Sequence, residues 1–366
     1  MEKNDVTIIG AGVIGLAVAA EISRPDWSIF IIEKNTTHGR GISSRNSEVI
    51  HGGIYYPQNS LKASLCVEGN RLLYEIASSH HIPHKKTGKM IVATTRRDTA
   101  VLEELYANGR ANGAENLQIL NKKQVGAMEP HVQAQAALHS PDTGIISVHD
   151  LMNFYLTQAQ RRKAQVFYRT EILHIEKEGN HYRLTAQHDK KEVFEFSSAV
   201  VINAAGLESD KLANLLGTDY HLHFCKGSYC SLSGIRAGTI KRLVYPTPAG
   251  NQAGLGIHLT MDLQGRFKLG PDATYIERKE DYSVDALKAE IFYQSAKKFL
   301  PFLKKENIYS DMAGIRPKLQ GPGEDFCDFV IREDFPGFIN LVGIESPGIT
   351  ASPAIARHVR KKYLGG

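Results

Sequence analysis

The sequence predicts an α/β protein in which a parallel-sheet domain is interrupted twice by a strand-rich second domain. Three observations carry this. A β-branched strand, a glycine turn, an alanine-rich helix and a second apolar strand follow one another over residues 5–34. After Ala164 the pattern changes to short alternating segments separated by turn residues. An apolar strand and a helix then return at the C-terminal end, so the first domain is assembled from separated pieces.

In order along the chain, Val6–Ile9 and Trp27–Ile32 are the first two strands, and Val13–Ile22 is the helix buried between them and a neighbour. Leu61–Ile76 has Leu65, Leu72 and Leu73 on one helical face. Asp98 is placed to cap a helix that Gly109 ends. Val166–Tyr168, Ile172–Ile175, Tyr182–Leu184 and Val193–Phe196 read as strands, with turns at Gly179-Asn180 and Asp189-Lys190. Ala199–Asn203 is a fully apolar strand closing on Ala204-Ala205-Gly206, and Ser209 is placed to cap a helix through Leu216. Residues 221–275 read as strands with turns at Gly250, Gly265 and Gly270, and 283–305 as one amphipathic helix broken by Pro301. Phe338–Gly343 is the last strand, with a helix from about Thr350. These elements divide into a nucleotide domain (1–85, 143–220 and 312–366) and a second domain (86–142 and 221–311).

At 366 residues the chain can bury two cores. Its 44 basic and 39 acidic residues leave a surplus of five, too mild for a nucleic-acid partner. Arg161-Arg162-Lys163 and Arg360-Lys361-Lys362 read as solvated helix ends, with weak peripheral membrane contact as the sharper alternative. No basic, apolar leader opens the sequence, and no run approaches the roughly 18 apolar residues of a membrane span. Cys66, Cys225, Cys230 and Cys327 lie far apart without a CxxC pair, so a reduced, cytoplasmic protein is expected. His80, His81 and His84 cluster without acidic or Cys partners at ligand spacing, so no metal is expected there.

Gly10-Ala11-Gly12-Val13-Ile14-Gly15 is G-x-G-x-x-G, directly after a strand and opening a helix. Gly10 permits the tight turn, Gly12 lets the backbone approach a pyrophosphate, and Gly15 lets the helix pack close. The helix end offers N–H groups and positive potential, which places Val13 and Ile14 at the phosphates. Glu33 ends the second strand, where its carboxylate can accept from ribose hydroxyls, with Lys34 beside it. Together these define a Rossmann-like dinucleotide site. A second fingerprint is missing: Gly254-Leu255-Gly256 lacks its third glycine, and Gly321-Pro322-Gly323 has proline in the turn. One site therefore serves NAD or FAD, not both.

Val200–Gly206, Asp311–Pro317 and Gly343–Thr350 resemble the later flavin-binding segments of the D-amino-acid-oxidase-type flavoproteins. Ser43-Ser44-Arg45-Asn46-Ser47-Glu48-Val49-Ile50-His51-Gly52-Gly53-Ile54-Tyr55-Tyr56 is more specific and resembles the L-2-hydroxyglutarate dehydrogenase/oxidase family. Ser60–Ala63, Cys66–Gly69, Gly88–Thr94, Lys226–Tyr229, Leu243–Pro246, Gly256–Thr260 and Gly270-Pro271 extend the resemblance over nearly the whole chain. Arg45 departs from the histidine and Glu48 from the glycine that many members carry. The resemblance implies an FAD-binding domain with a discontinuous, strand-rich substrate domain, and oxidation of a small 2-hydroxy acid, L-2-hydroxyglutarate to 2-oxoglutarate. An amino-acid oxidase, a glycerol-3-phosphate dehydrogenase and a non-catalytic flavin-binding redox sensor are the alternatives.

It also implies site residues. Ser43, Ser44, Asn46, Ser47, Ile172, Ala205, Gly206, Gly314, Arg316, Pro347, Gly348, Ile349 and Thr350 would meet the cofactor. His51 is the leading base, because imidazole titrates near neutral pH, and His258 is its rival. Arg316 is the carboxylate clamp. Tyr55, Lys226, Tyr229 and Tyr245 would line the substrate pocket, with Tyr56 beside Tyr55 over the flavin. Oxygen, a quinone or an electron-transfer protein would then take the electrons.

Overall fold

A computed structural model describes residues 2–248 and 256–365. The turn expected at Gly250 and the Gly254-Leu255 pair lie outside the described residues.

The glycine-rich opening folds as its pattern dictates. Strand Glu2–Ile9 pairs in parallel with Ile29–Ile32, and helix Val13–Ile22 crosses between them. That helix is buried at Val13, Gly15, Leu16, Ala17, Val18, Ala19 and Ile22, because the helices Val148–Arg161 and Gly348–Tyr363 cover the side that the sheet does not. The sheet has eight strands, and its long member is Glu192–Asn203. The expected strands at 193–196 and 199–203 are thus one strand with two jobs. Its first half is antiparallel to His181–His188, while its second half is parallel to Phe338–Val342; Glu2–Ile9 runs parallel along its other edge.

The second domain is a nine-stranded sheet. It joins Lys89–Ala93, Gln118–Asn121 and Ala136–Ser140 from the first interruption to His223–Leu232, Leu243–Pro246, Leu259–Met261, Phe267–Leu269 and Thr274–Ile276 from the second. Its ninth strand, Ile308–Lys318, pairs with His223–Leu232 throughout. The expected boundary at 311/312 would cut this strand in two, and in the structure the crossing back lies beyond Lys318. Val49–Ile50, His84–Lys85 and Gly144–Ile146 form a small sheet at the junction of the domains.

Four helix expectations shift. Helix Arg96–Ala111 starts earlier, with Thr95 as its cap and Asp98 completing a capping box. Gly109 lies inside it, not past its end, packed where a Cβ would sit 2.8 Å from Leu117 Cδ1. Glu208, not Ser209, occupies the cap position of helix Ser209–Asn214, since Ser209 Oγ already donates back to the Gly206 carbonyl at 2.8 Å. The stretch 283–305 is α-helical only over Lys288–Ala296, with a 3₁₀ turn starting at Lys305; Phe299, Leu300 and Leu303 are buried in the turn around Pro301.

Candidate active site

One cleft of about 1440 Å³ runs from the glycine turn, between the two sheets, to the floor of the second domain. At its first end Gly10 has φ +107°, which a side chain tolerates poorly, and a Cβ there would meet Ala204 O at 2.5 Å. At Gly15 a Cβ would meet Gly10 O at 2.0 Å, so this glycine serves helix packing and does not line the cleft. Gly12 differs. The nearest atom to its Cβ position is Ser43 Oγ at 3.2 Å, and the space beyond is cleft. Ser43 Oγ accepts the Val13 N–H at 3.0 Å, so a serine caps part of the helix end. Glu33 lines the cleft, with Oε2 accepting the Ala11 N–H at 2.9 Å and Oε1 held by Asn35. A carboxylate fixed in this way keeps lone pairs for ribose hydroxyls. Ile14, Lys34, Ile172, Ala205 and Gly206 line the same end.

Farther along, Asn46, Ser47, Gly314, Arg316, Pro347, Gly348 and Ile349 line the wall. Gly314 is required where two segments cross, since a Cβ would sit 2.2 Å from Arg45 O. Two assigned residues stand back from the wall. Ser44 is exposed and its hydroxyl donates to the Gly41 carbonyl at 3.1 Å. Thr350 is fully buried; its Oγ1 accepts the His51 N–H at 3.0 Å and donates to Val49 O at 3.3 Å. Thr350 thus fixes the segment that carries His51.

The two histidines converge on the inner end from different domains. His51 follows strand Val49–Ile50, with Nδ1 buried without a partner among the described residues and Nε2 3.4 Å from Ser346 Oγ. His258 stands just before strand Leu259–Met261. Its ring stacks on Tyr245 at 3.8 Å, and Nδ1 donates to Gly256 O at 2.8 Å, so Nε2 is left as an acceptor. Burial, with the nearby Lys89, lowers both imidazoles to about 3. Both are neutral at physiological pH and so can accept a proton, but burial makes them weaker bases than the near-neutral imidazole expected from the sequence.

Tyr55, Tyr229 and Tyr245 line this end. The Tyr229 hydroxyl is 3.0 Å from Ser47 Oγ, while the buried Tyr55 hydroxyl has no partner among the described residues. Arg316 lines it as well. Its Nε donates to Cys225 O at 3.3 Å and its Nη2 to Asp272 O at 2.5 Å, which leaves Nη1 without a partner among the described residues. Lys226 is the correction here. It does not line the cleft, because Nζ is bound to Asp281 at 2.8 Å and to Ser283 O at 3.2 Å. Two groups of charged residues had no role assigned from the sequence. Lys62 and Lys318 both bind Glu345 Oε1, at 3.0 and 2.9 Å, with all three side chains nearly buried. Lys89 is 1% exposed and packs 4.6 and 4.8 Å from the rings of Tyr55 and Tyr245. Its one visible signal was a lysine opening an otherwise apolar strand.

Among the described residues no cluster of three metal-ligating side chains occurs, and no helix is long and apolar enough to cross a membrane.

A Rossmann-like glycine cradle, a continuous cleft and neutral bases at its inner end define a flavin-dependent oxidoreductase. The model of the DAO family, FAD dependent oxidoreductase, matches residues 5–361, and the chain belongs to that family. Within it the chain belongs with the L-2-hydroxyglutarate dehydrogenases. It is 39% identical to the mitochondrial L-2-hydroxyglutarate dehydrogenase of Arabidopsis thaliana, over 99% of this chain and 84% of that one. A glycerol 3-phosphate dehydrogenase of Caloramator mitchellensis is 29% identical over 97% of this chain and 72% of its own. Among solved structures, dithionite-reduced L-alpha-glycerophosphate oxidase from Mycoplasma pneumoniae with FAD bound superposes with a TM-score of 0.88, at 29% identity, covering 98% of this chain and 94% of that one. FAD is the cofactor, and the residues of the cradle fit it: an open Cβ position at Gly12, a fixed carboxylate at Glu33, and a cleft of about 1440 Å³ with room beyond the cradle.

Proposed function

We propose that this enzyme oxidises L-2-hydroxyglutarate to 2-oxoglutarate. The observation that carries the reading is the convergence of two neutral imidazoles and a partly free guanidinium on the cleft's inner end. FAD, when bound, supplies the hydride acceptor. The chain supplies the rest. His258 Nε2 or His51 accepts the hydroxyl proton, so that the carbonyl forms as the C–H bond breaks. Arg316 Nη1 meets a carboxylate and holds the carbon in place. Tyr55 and Tyr229 offer hydroxyls to the acid, and the aromatic walls exclude water.

The test is anaerobic flavin absorbance before and after addition of L-2-hydroxyglutarate, with the D enantiomer as control. Bleaching by the L form alone is expected. Intact flavin with L-2-hydroxyglutarate, and bleaching by glycerol 3-phosphate or an amino acid, would reject the assignment.

The electron acceptor is proposed to be oxygen, a quinone or an electron-transfer protein, and reoxidation rates with each would choose among them. A quinone partner would go with weak membrane contact through the basic ends Arg161-Arg162-Lys163 and Arg360-Lys361-Lys362, which vesicle sedimentation tests. A reducing compartment, the cytoplasm in our reading, is supported by four free cysteines, three of them buried. The organelle in the Arabidopsis relative's name is the competing location, and fractionation decides it.

A further inference from the structure

We propose that Lys89 is the positioning charge of this site: it stands behind the histidines without a carboxylate of its own, and a bound substrate carboxylate completes it. The inference rests on the anionic substrate proposed above.

Lys89 opens strand Lys89–Ala93, and its side chain is almost wholly buried. A buried ammonium is ordinarily paired with a carboxylate. The other buried lysines here obey that rule, since Lys62 and Lys318 share Glu345. Lys89 makes no ion pair among the described residues, and two aromatic faces, Tyr55 and Tyr245, flank it instead. Both tyrosines line the cleft, while Lys89 itself does not. Its charge therefore reaches the substrate through the wall.

The groups facing it are all neutral at pH 7. They are Tyr55 and His51 from the His51–Tyr56 segment, Cys66 from helix Leu61–Ser79, Tyr245 from the adjacent strand and His258. On the other neighbouring strand, Ala136–Ser140, burial and then Arg242 lower His139, with Asp142 opposing. Burial lowers Lys89 to about 7, with Cys66 opposing. Its protonated form in turn helps to keep His51 and His258 neutral.

Two consequences follow. An arriving carboxylate favours the charged lysine, so binding takes up a proton from solvent above neutral pH, and no bond to carbon is made or broken. The same charge holds the histidines in the form that accepts the hydroxyl proton.

The experiment uses the FAD-loaded protein and glutarate, a dicarboxylate without the reacting hydroxyl. Binding is followed by the flavin band and proton uptake by a pH indicator in weak buffer at pH 8. Wild type should take up close to one proton per glutarate bound. Lys89→Met should weaken glutarate binding on the order of a hundredfold and abolish the uptake. In turnover, the same variant should move the acid limb of kcat/KM upward by about one pH unit. Lys89→Arg, permanently charged, should recover much of the affinity without recovering the uptake. FAD content and circular dichroism report whether each variant is folded. The wild-type proton count needs no variant, so a misfolded Lys89→Met does not end the test. No glutarate binding by wild type, or binding without uptake, overturns the assignment. Bleaching by L-2-hydroxyglutarate without uptake would reject the role of Lys89 alone. Uptake on glutarate without bleaching by any 2-hydroxy acid would reject the proposed reaction alone.

Discussion

Replacing Glu345 by Gln would strand two cations in a nearly closed space. Lys62 and Lys318 reach the same carboxylate oxygen, and all three side chains are at most 8% exposed. Burial pushes the Glu345 carboxyl up, yet Lys62 and Lys318 outweigh it and hold the group ionised. Breaking a buried pair by removing one partner costs about 3–5 kcal/mol, because the remaining charge is uncompensated. The lower figure applies here, since the cluster lines the cleft and Lys62 keeps a bond to Cys327 O at 2.9 Å. Unfolding entropy of about 2.1 cal/mol/K per residue, over 366 residues, gives roughly 0.8 kcal/mol per degree. A loss of about 3 kcal/mol then lowers Tm by roughly 4 °C if the chain unfolds as one unit. Thermal melts followed by near-UV circular dichroism measure it. Adding Lys318→Met to Glu345→Gln removes one stranded cation and should return at least about 1 kcal/mol of the loss. A Glu345→Gln melt within about 1 °C of wild type, or a double variant weaker than the sum of its singles, would refute the reasoning.

Three further outcomes are expected. Gly12→Ala should leave the apoprotein's melt nearly unchanged but weaken FAD binding at least about tenfold, since its backbone is extended and its Cβ points into the cradle; Gly15→Ala should fail to fold normally, with a Cβ 2.0 Å from Gly10 O. Lys226→Ala should keep kcat/KM within about twofold of wild type, because its ammonium is committed to Asp281 outside the cleft, and steady-state kinetics check this. The pH dependence of stability has a definite sign: His51 and His258 sit at about 3 when folded against 6.5 when unfolded, so the unfolded chain binds more protons as pH drops. Their stabilisation is complete above pH 6.5 and declines toward pH 3, by about 2 kcal/mol per histidine between 6.5 and 5; urea midpoints of the apoprotein at pH 7 and pH 5 measure it, and His258→Gln should flatten the difference.

The cofactor end was legible from sequence because its constraints are local. Gly10, Gly12, Gly15 and Glu33 lie within 24 residues, and each answers a steric or hydrogen-bonding demand of one turn, one helix and one strand end. The substrate end is assembled from Tyr55, Lys89, Tyr245, His258 and Arg316, whose contacts depend on strand pairing across two interruptions of the chain. Periodicity cannot give that pairing. The resemblance placed His51, His258 and Arg316 at one cleft but misplaced Lys226, whose ammonium the Asp281 loop captures. Nor could pattern show that Glu192–Asn203 is one strand, since the change of partner at its middle leaves no break in the backbone.

The charge layout also bears on which donor the cleft favours. An amino acid brings an ammonium that needs an anionic or acceptor partner, whereas a hydroxy diacid brings only a hydroxyl and carboxylates. Of the carboxylates lining the cleft, Glu33 is held by Ala11 and Asn35, Glu208 binds Lys34 and Lys279, and Glu345 binds two lysines. Burial pushes Glu48 toward its neutral form, and Glu104, Glu171 and Glu280 are exposed. The inner end instead carries Arg316, with Lys89 behind its wall. A cation entering there meets like charge, and an anion meets opposite charge whose desolvation the fold has already absorbed. Preorganised charge of that sign favours an anionic alcohol over an amino acid before any step of chemistry, and the neutral imidazoles beside it match the one proton that such a donor must lose.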